Sequence, residues 1–125
     1  MGHSDRLVIA DGNFPVMSMG KNAQIIRMDG HGVPEILDAI LKVFPLDTYI
    51  EKPVNLMQVM PGDDVQTPIW DVYKKTVEKY DERGENAIGE IERFKFYEET
   101  KTAYAVIATS EKALYANIML QKGVV

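Results

Sequence analysis

The chain contains no cysteine, which removes disulfide scaffolds, thiolate zinc sites, iron–sulfur clusters and cysteine nucleophiles together. It lacks a basic excess as well. Fourteen Lys and Arg stand against 19 Asp and Glu, a formal charge of −5, whereas a nucleic-acid or anionic-membrane partner needs a basic face to displace counterions. No apolar run approaches the roughly 20 residues of a membrane helix. No charged-then-apolar leader with a small-residue cleavage site opens these residues. No motif recurs at the spacing that would mark a solenoid or propeller. There is no Gly-x-Ser-x-Gly elbow and no phosphate-cradling glycine-rich loop behind a strand. The two histidines lie far apart with no ligand motif beside either, so no metal site is expected. What remains is 125 residues with 46% hydrophobic content, enough to fill one core. We expect a single domain over residues 1–125, soluble and cytoplasmic, with neither nucleic acid nor membrane as partner.

The elements alternate in type. Leu7-Val8-Ile9-Ala10 is a short, β-branched apolar run, the pattern of a strand buried on both faces. Pro15 blocks direct helix entry behind it, so residues 11–15 read as a shaped loop. A second strand is expected over Ala23–Met28. Val33–Phe44 carries apolar residues at Ile36, Leu37, Ile40, Leu41 and Phe44, a core-facing helical stripe that Pro34 opens and Pro45 stops. Val54–Met60 reads as a strand. Thr67 and Pro68 offer an N-cap and a first-turn proline for a helix reaching about Tyr80. The polar stretch Asp81–Glu90 reads as a surface excursion. Glu92–Thr102 fits strand and helix equally. Ala103–Thr109 and Tyr115–Gln121 read as strands joined by a turn at residues 110–113. Interleaved elements of this kind predict an α/β fold, a three-layer α/β/α sandwich with a mixed central sheet.

Chemistry-bearing residues each have a plainer reading. His31, between two glycines, reads as a turn residue. His3 sits where a frayed terminus or a cloning remnant is the simplest account. Asp11 stands at the carboxyl end of the first strand, where α/β folds gather ligand sites, yet its carboxylate would equally cap its own turn. Strand periodicity places Tyr115 and Asn117 on one face. A phenol beside an amide suits sugar hydroxyls, and a strand-edge pair is the alternative. Arg93 would fork onto a ligand oxygen or pair with Glu92 or Asp81. Trp70 and the helically spaced tyrosines read as core packing.

Three separated segments carry a resemblance. Met-Gly-His-Ser-Asp-Arg-Leu-Val-Ile-Ala-Asp-Gly-Asn-Phe-Pro, over residues 1–15, resembles the amino-terminal signature of the sugar mutarotases related to L-fucose mutarotase and D-ribose pyranase. Arg93-Phe94-Lys95-Phe96-Tyr97-Glu98 is similar to the middle motif of the fucose branch. Thr109-Ser110-Glu111, Tyr115-Ala116-Asn117-Ile118-Met119-Leu120 and Lys122-Gly123-Val124 are similar to its carboxyl-terminal signature. The likeness covers nearly the whole chain in order. The Asn-Phe-Pro turn and the arginine motif point to the fucose branch. Members usually carry a helical segment before Met-Gly-His, whereas here Met1 opens the motif, which bears on how His3 is anchored.

The resemblance implies a cofactor-independent isomerase that exchanges the α and β anomers of a reducing monosaccharide. It assigns proton transfer to His3 and sugar binding to Asp11, Arg93, Tyr115 and Asn117; the chemistry of a phenol adds Tyr115 as a second candidate relay. It also implies ring-shaped homo-oligomers, typically decamers. Mutarotation opens a cyclic hemiacetal and recloses it on the other face of C1. No electron moves and no group leaves, so the chemistry requires no cofactor and no metal. Imidazole suits it, because an ordinary pKa of about 6.5 lets the ring give or take a proton near neutrality. Pyranose–furanose exchange of D-ribose and sugar binding without turnover stand as the alternatives.

Overall fold

In the computed structural model, which describes residues 1–124, the first apolar run forms β1 (Arg6–Ala10). A one-turn helix α1 (Val16–Met19) follows, then β2 (Gln24–Met28), α2 (Val33–Leu41), β3 (Val54–Met57) and α3 (Pro68–Tyr80). A 3-10 turn over Gly84–Ala87 leads into β4 (Ile88–Ile91), α4 (Arg93–Thr100), β5 (Ala105–Thr109) and β6 (Ile118–Gln121). The six strands form one sheet in the order β2-β5-β1-β6-β3-β4. β6 runs antiparallel to both its neighbours, β1 and β3, while the pairs β1–β5, β2–β5 and β3–β4 are parallel. Five strands therefore end at the same edge of the sheet, and β6 begins there.

Alternate residues of each strand point to opposite faces, and both faces are covered. Leu7, Ile9, Ile107, Val54, Leu56, Ile118 and Leu120 pack with Val33, Leu37 and Leu41 of α2 and with Ile69, Tyr73 and Val77 of α3. Val8, Ala10, Val106, Met57 and Met119 pack on the other side beneath Phe14 and Phe96. Burial on two faces explains why these strands read as unbroken apolar runs. The layers are those of the expected sandwich, and the sheet is mixed.

The local differences have identifiable causes. The helix expected to reach Phe44 ends at Leu41. The Val43 N–H then donates to the Ile40 carbonyl in a tighter turn, which lets Phe44 bury its ring outside the helix. Thr67 makes no side-chain cap, although Pro68 opens α3 as the sequence suggested. The supposed excursion at Asp81–Glu90 is built into the fold. Arg83 sits 2.8 Å from the Asp81 carboxylate and also donates to the carbonyls of Asp47 and Ile50, while Gly84 and Ala87 are buried. Residues 93–100 are helical because the Glu92 carboxylate accepts from the N–H groups of Phe94 and Lys95, satisfying donors that a helix start leaves open. The last strand begins at Ile118, not Tyr115, and β1 lies between β5 and β6.

Truncating Phe96, fully buried on the α1/α4 side, as Phe96→Ala should cost about 3–5 kcal/mol in urea unfolding. Glu92→Ala should cost about 1 kcal/mol through the lost cap. Equal effects from the two would contradict this division between packing and capping.

Candidate functional site

The edge at which five strands end holds a cleft of about 310 Å³. Its walls come from the loop after β1 (Asp11, Asn13, Phe14), the end of β3 and the loop behind it (Met57, Asp63, Val65), the start of α4 (Arg93, Tyr97) and the segment before β6 (Leu114, Tyr115, Asn117). This is where the topology itself opens a crevice. The chain leaves β1 for one side of the sheet and β3 for the other, and only the short antiparallel β6 stands between them.

Asp11 is held by the sheet. Its N–H donates to Asn117 Oδ1 at 2.7 Å, across a separation of 106 residues. With its oxygen committed, Asn117 has its amide NH₂ left for a ligand. The Asp11 carboxylate accepts from the Asn13 N–H at 3.0 Å. Asp11 is only 8% exposed, and burial pushes its carboxyl above the ordinary value, outweighing the N–H donors of Asn13, Ala116 and Phe14; the nearby Glu111 charge adds to the rise. A close approach favours glycine at position 12 of this loop. A Cβ there would stand 3.1 Å from the Glu111 carbonyl oxygen, to which the Gly12 N–H donates at 2.9 Å.

Tyr115 reaches the cleft by a route other than strand alternation. Its φ is +52°, a left-handed conformation that costs a bulky residue roughly 1–3 kcal/mol. Two aromatic donors of α3 hold the segment there. Trp70 Nε1 donates to the Tyr115 carbonyl at 2.8 Å, and the Tyr73 hydroxyl donates to the Ala116 carbonyl at 2.6 Å. The Tyr115 hydroxyl accepts from the Met60 N–H at 3.2 Å and donates to the Asp63 carboxylate. Trp70 thus does more than pack.

Arg93 takes neither expected ion-pair partner: Glu92 is occupied as the helix cap and Asp81 by Arg83. Its Nε is the one buried side-chain nitrogen or oxygen without a hydrogen-bond partner among the described residues. A buried donor left open at the wall of a cleft is costly unless something arrives to accept from it. Phe14, Met57, Val65 and Leu114 line the same cleft, so part of its wall is apolar.

The structure brings Asp11, Arg93, Tyr115 and Asn117 together. It puts His3 elsewhere. His3 stands at the opposite edge of the sheet, where its Nε2 is 3.3 Å from Asp47 Oδ1 and its ring meets Tyr49 edge-on. The five residues of β1 alone separate the two edges by roughly 15 Å. Asp47 is buried there; burial would raise its carboxyl, but the Tyr49 N–H, the Gln121 amide and His3 hold it below the ordinary value. His31 pairs with Glu35 on the surface. Asp63, Asn13 and Tyr97 are site residues that the sequence reading missed. For Asp63 the signal was present, since an acid after a Pro-Gly turn at a strand's carboxyl end obeys the rule that singled out Asp11.

The sequence profile of the RbsD / FucU transport protein family matches residues 1–125. Fucose mutarotase of Homo sapiens is 46% identical over 128 residues, spanning 99% of this chain and 82% of the human protein. Among solved structures, FucU from Bifidobacterium longum is 66% identical with a TM-score of 0.98, over 100% of this chain and 89% of that one. The fucose mutarotase from Streptococcus pneumoniae in complex with L-fucose is 44% identical with a TM-score of 0.92, over 100% of this chain and 86% of that one.

The raised carboxyl of Asp11 has a consequence for stability. The fold favours its protonated form, so its contribution is full below the ordinary value of 3.8 and is lost as pH rises through the folded-state value. Asp11→Asn should therefore be more stable than the parent at pH 7, with the difference closing as pH falls below 3.8. Urea midpoints across pH read this directly, and an Asn variant that is less stable at neutral pH would contradict it.

Proposed function

Because the chain belongs to the RbsD / FucU transport protein family, we propose that the cleft at the carboxyl edge binds L-fucose and interconverts its α and β anomers. The protein is then an isomerase, with the cyclic sugar as substrate and product. The observation that carries the assignment to this cleft is the convergence of Asp11, Arg93, Tyr115 and Asn117 from distant segments, with a buried guanidinium nitrogen still lacking an acceptor. A neutral polyol needs such alternating donors and acceptors. The Asp11 carboxylate accepts hydrogen bonds from sugar hydroxyls, the Asn117 amide and Arg93 donate N–H bonds to sugar oxygens, and the apolar wall meets the hydrocarbon part of the sugar.

Ring opening moves two protons. The anomeric O1 loses one, O5 gains one, the C1–O5 bond breaks, and C1=O1 forms. Rotation about C1–C2 and the reverse transfers close the ring on the other face. His3 is our choice for the proton at O5, and its position dictates how. Within one chain the ring of His3 cannot reach the cleft, so a neighbouring copy must bring it. Surface chemistry supports a ring or other closed assembly of identical subunits. Val43, 83% exposed, and Tyr49, 73% exposed, lie at the His3 edge, and Phe94, 63% exposed, and Leu114 flank the cleft. Joining the two edges would bury apolar area on both.

Saturation-transfer NMR between the anomeric protons of L-fucose tests the reaction. We expect saturable acceleration by the parent protein and a fall of about 10²–10⁴-fold in His3→Ala. Pyranose–furanose exchange of D-ribose in its place would move the protein to the other branch, and binding without any exchange would end the catalytic assignment. Mixing tests the shared site. His3→Ala and Asp11→Asn chains, each impaired alone, should regain parental activity in about a quarter of sites when co-assembled at random. No recovery would remove His3 of a neighbour from the mechanism.

A further inference from the structure

We infer that Asp63 is a positioning residue that receives the phenolic proton of Tyr115 and so makes the Tyr115 oxygen the base for the anomeric hydroxyl. The inference rests on the mutarotase reading of the cleft. A phenol has one proton to donate and two lone pairs with which to accept. At Tyr115 the proton is directed to the Asp63 carboxylate and one lone pair is taken by the Met60 N–H at 3.2 Å. The valence left for the cleft is a lone pair. Toward a bound sugar this tyrosine is therefore an acceptor only, and what it accepts is a hydroxyl proton.

The backbone is arranged to keep it so. The left-handed conformation at Tyr115, with φ of +52°, and the Trp70 Nε1 bond to its carbonyl aim the side chain across to the loop behind β3. There Met60 and Asp63 stand on either side of Pro61 and Gly62. Gly62 has a φ of +91°, which a side-chain-bearing residue rarely adopts. That tight turn lets the N–H of Met60 and the carboxylate of Asp63 address one phenolic oxygen from different directions. Asp11, the other carboxylate of the cleft, is already tied to the Asn13 N–H and buried, which suits it to gripping hydroxyls. Asp63 is exposed, and its carboxylate accepts from the Tyr115 hydroxyl.

The steps balance. In opening, O1–H gives its proton to the Tyr115 oxygen as the phenolic proton passes to Asp63. C1=O1 forms, the C1–O5 bond breaks, and O5 takes a proton from the imidazolium of His3. In closing, Asp63 returns a proton through Tyr115 to O1, and O5–H returns one to His3. No oxidant, reductant or further reactant enters.

Asp63→Asn isolates the proton transfer, because its amide oxygen can still accept the tyrosine hydrogen bond but cannot take the proton. With L-fucose in the NMR exchange assay, Asp63→Asn should lower kcat by about 10²-fold while KM stays within about threefold. Asp63→Glu should recover about tenfold or more of that loss. Tyr115→Phe should match Asp63→Asn, and the double variant should be no slower than either, as for two members of one relay. Urea midpoints equal to the parent's would certify the folds. A raised KM with unchanged kcat, or losses that multiply in the double variant, would reduce Asp63 to a loop tether and overturn the inference alone. A parent protein with no exchange activity would overturn the mutarotase reading, and this inference with it.

Discussion

The hydrogen bond from the Asp11 N–H to Asn117 Oδ1, at 2.7 Å, is the contact on which the arrangement of the site depends. It ties the exit of β1 to the entry of β6, the strand that reverses the direction of the sheet between β1 and β3. A buried N–H must find an acceptor, and satisfying it with a side chain rather than a ladder carbonyl frees the backbone of 115–117 to leave the sheet. Thr109 does similar work on the other flank, donating to the Ala10 carbonyl at 2.7 Å and accepting from the Glu111 N–H. The edge thus stays closed by side chains while the loops rise from it.

Much of this was legible in the sequence. The unbroken apolar run Leu7–Ala10 declared a strand buried on two faces, Ala103–Thr109 read as a strand, and the stripe Ile36, Leu37, Ile40 and Leu41 declared a core-facing helix. Asp11 was legible because a general rule for α/β sheets names its position. Tyr115 and Asn117 were chosen for a wrong geometric reason. They do share the cleft, but through a left-handed backbone held by Trp70 and Tyr73, and no local pattern encodes a conformation sustained by a helix more than 40 residues away. Asp81–Glu90 misled for a related reason. Asp81 and Arg83 satisfy each other and nearby carbonyls, so their polarity did not mean exposure, whereas Glu82, Glu85 and Glu90 are exposed. The ambiguity at 92–102 was real as well, since what decides it is a single carboxylate folding back on two N–H groups.

The placement of His3 shows why a motif list and a site are different things. The resemblance assigned His3 and Asp11 to one site from a motif in which they stand eight positions apart. A strand turns that nearness into distance, because it carries its two ends to opposite edges of the sheet. His3 is nevertheless well held at its own edge. Its partner Asp47 is fixed by the Tyr49 N–H, the Gln121 amide and a backbone bond to Gln121, so the imidazole has a stable carboxylate behind it.

On the mechanism proposed, this separation is an advantage. Opening a hemiacetal needs an acceptor at O1 and a donor at O5, placed on different sides of one small ring. A single edge of a sheet supplies loops that converge from one direction, as Asp63, Tyr115 and Asp11 do here. A donor opposing them must come from another rigid surface, and among the described residues no second layer stands above the carboxyl edge. The amino edge of a second copy is such a surface, already carrying an imidazole backed by a buried carboxylate. Each chain then contributes half of two sites, and neither half holds both proton-transfer groups on its own. The demand on each half is modest, because the reaction proceeds slowly in water without help. Positioned proton transfer worth about 10²–10⁴ in rate is enough, which fits a cleft built from hydrogen-bonding side chains rather than from strained chemistry at the reacting carbon.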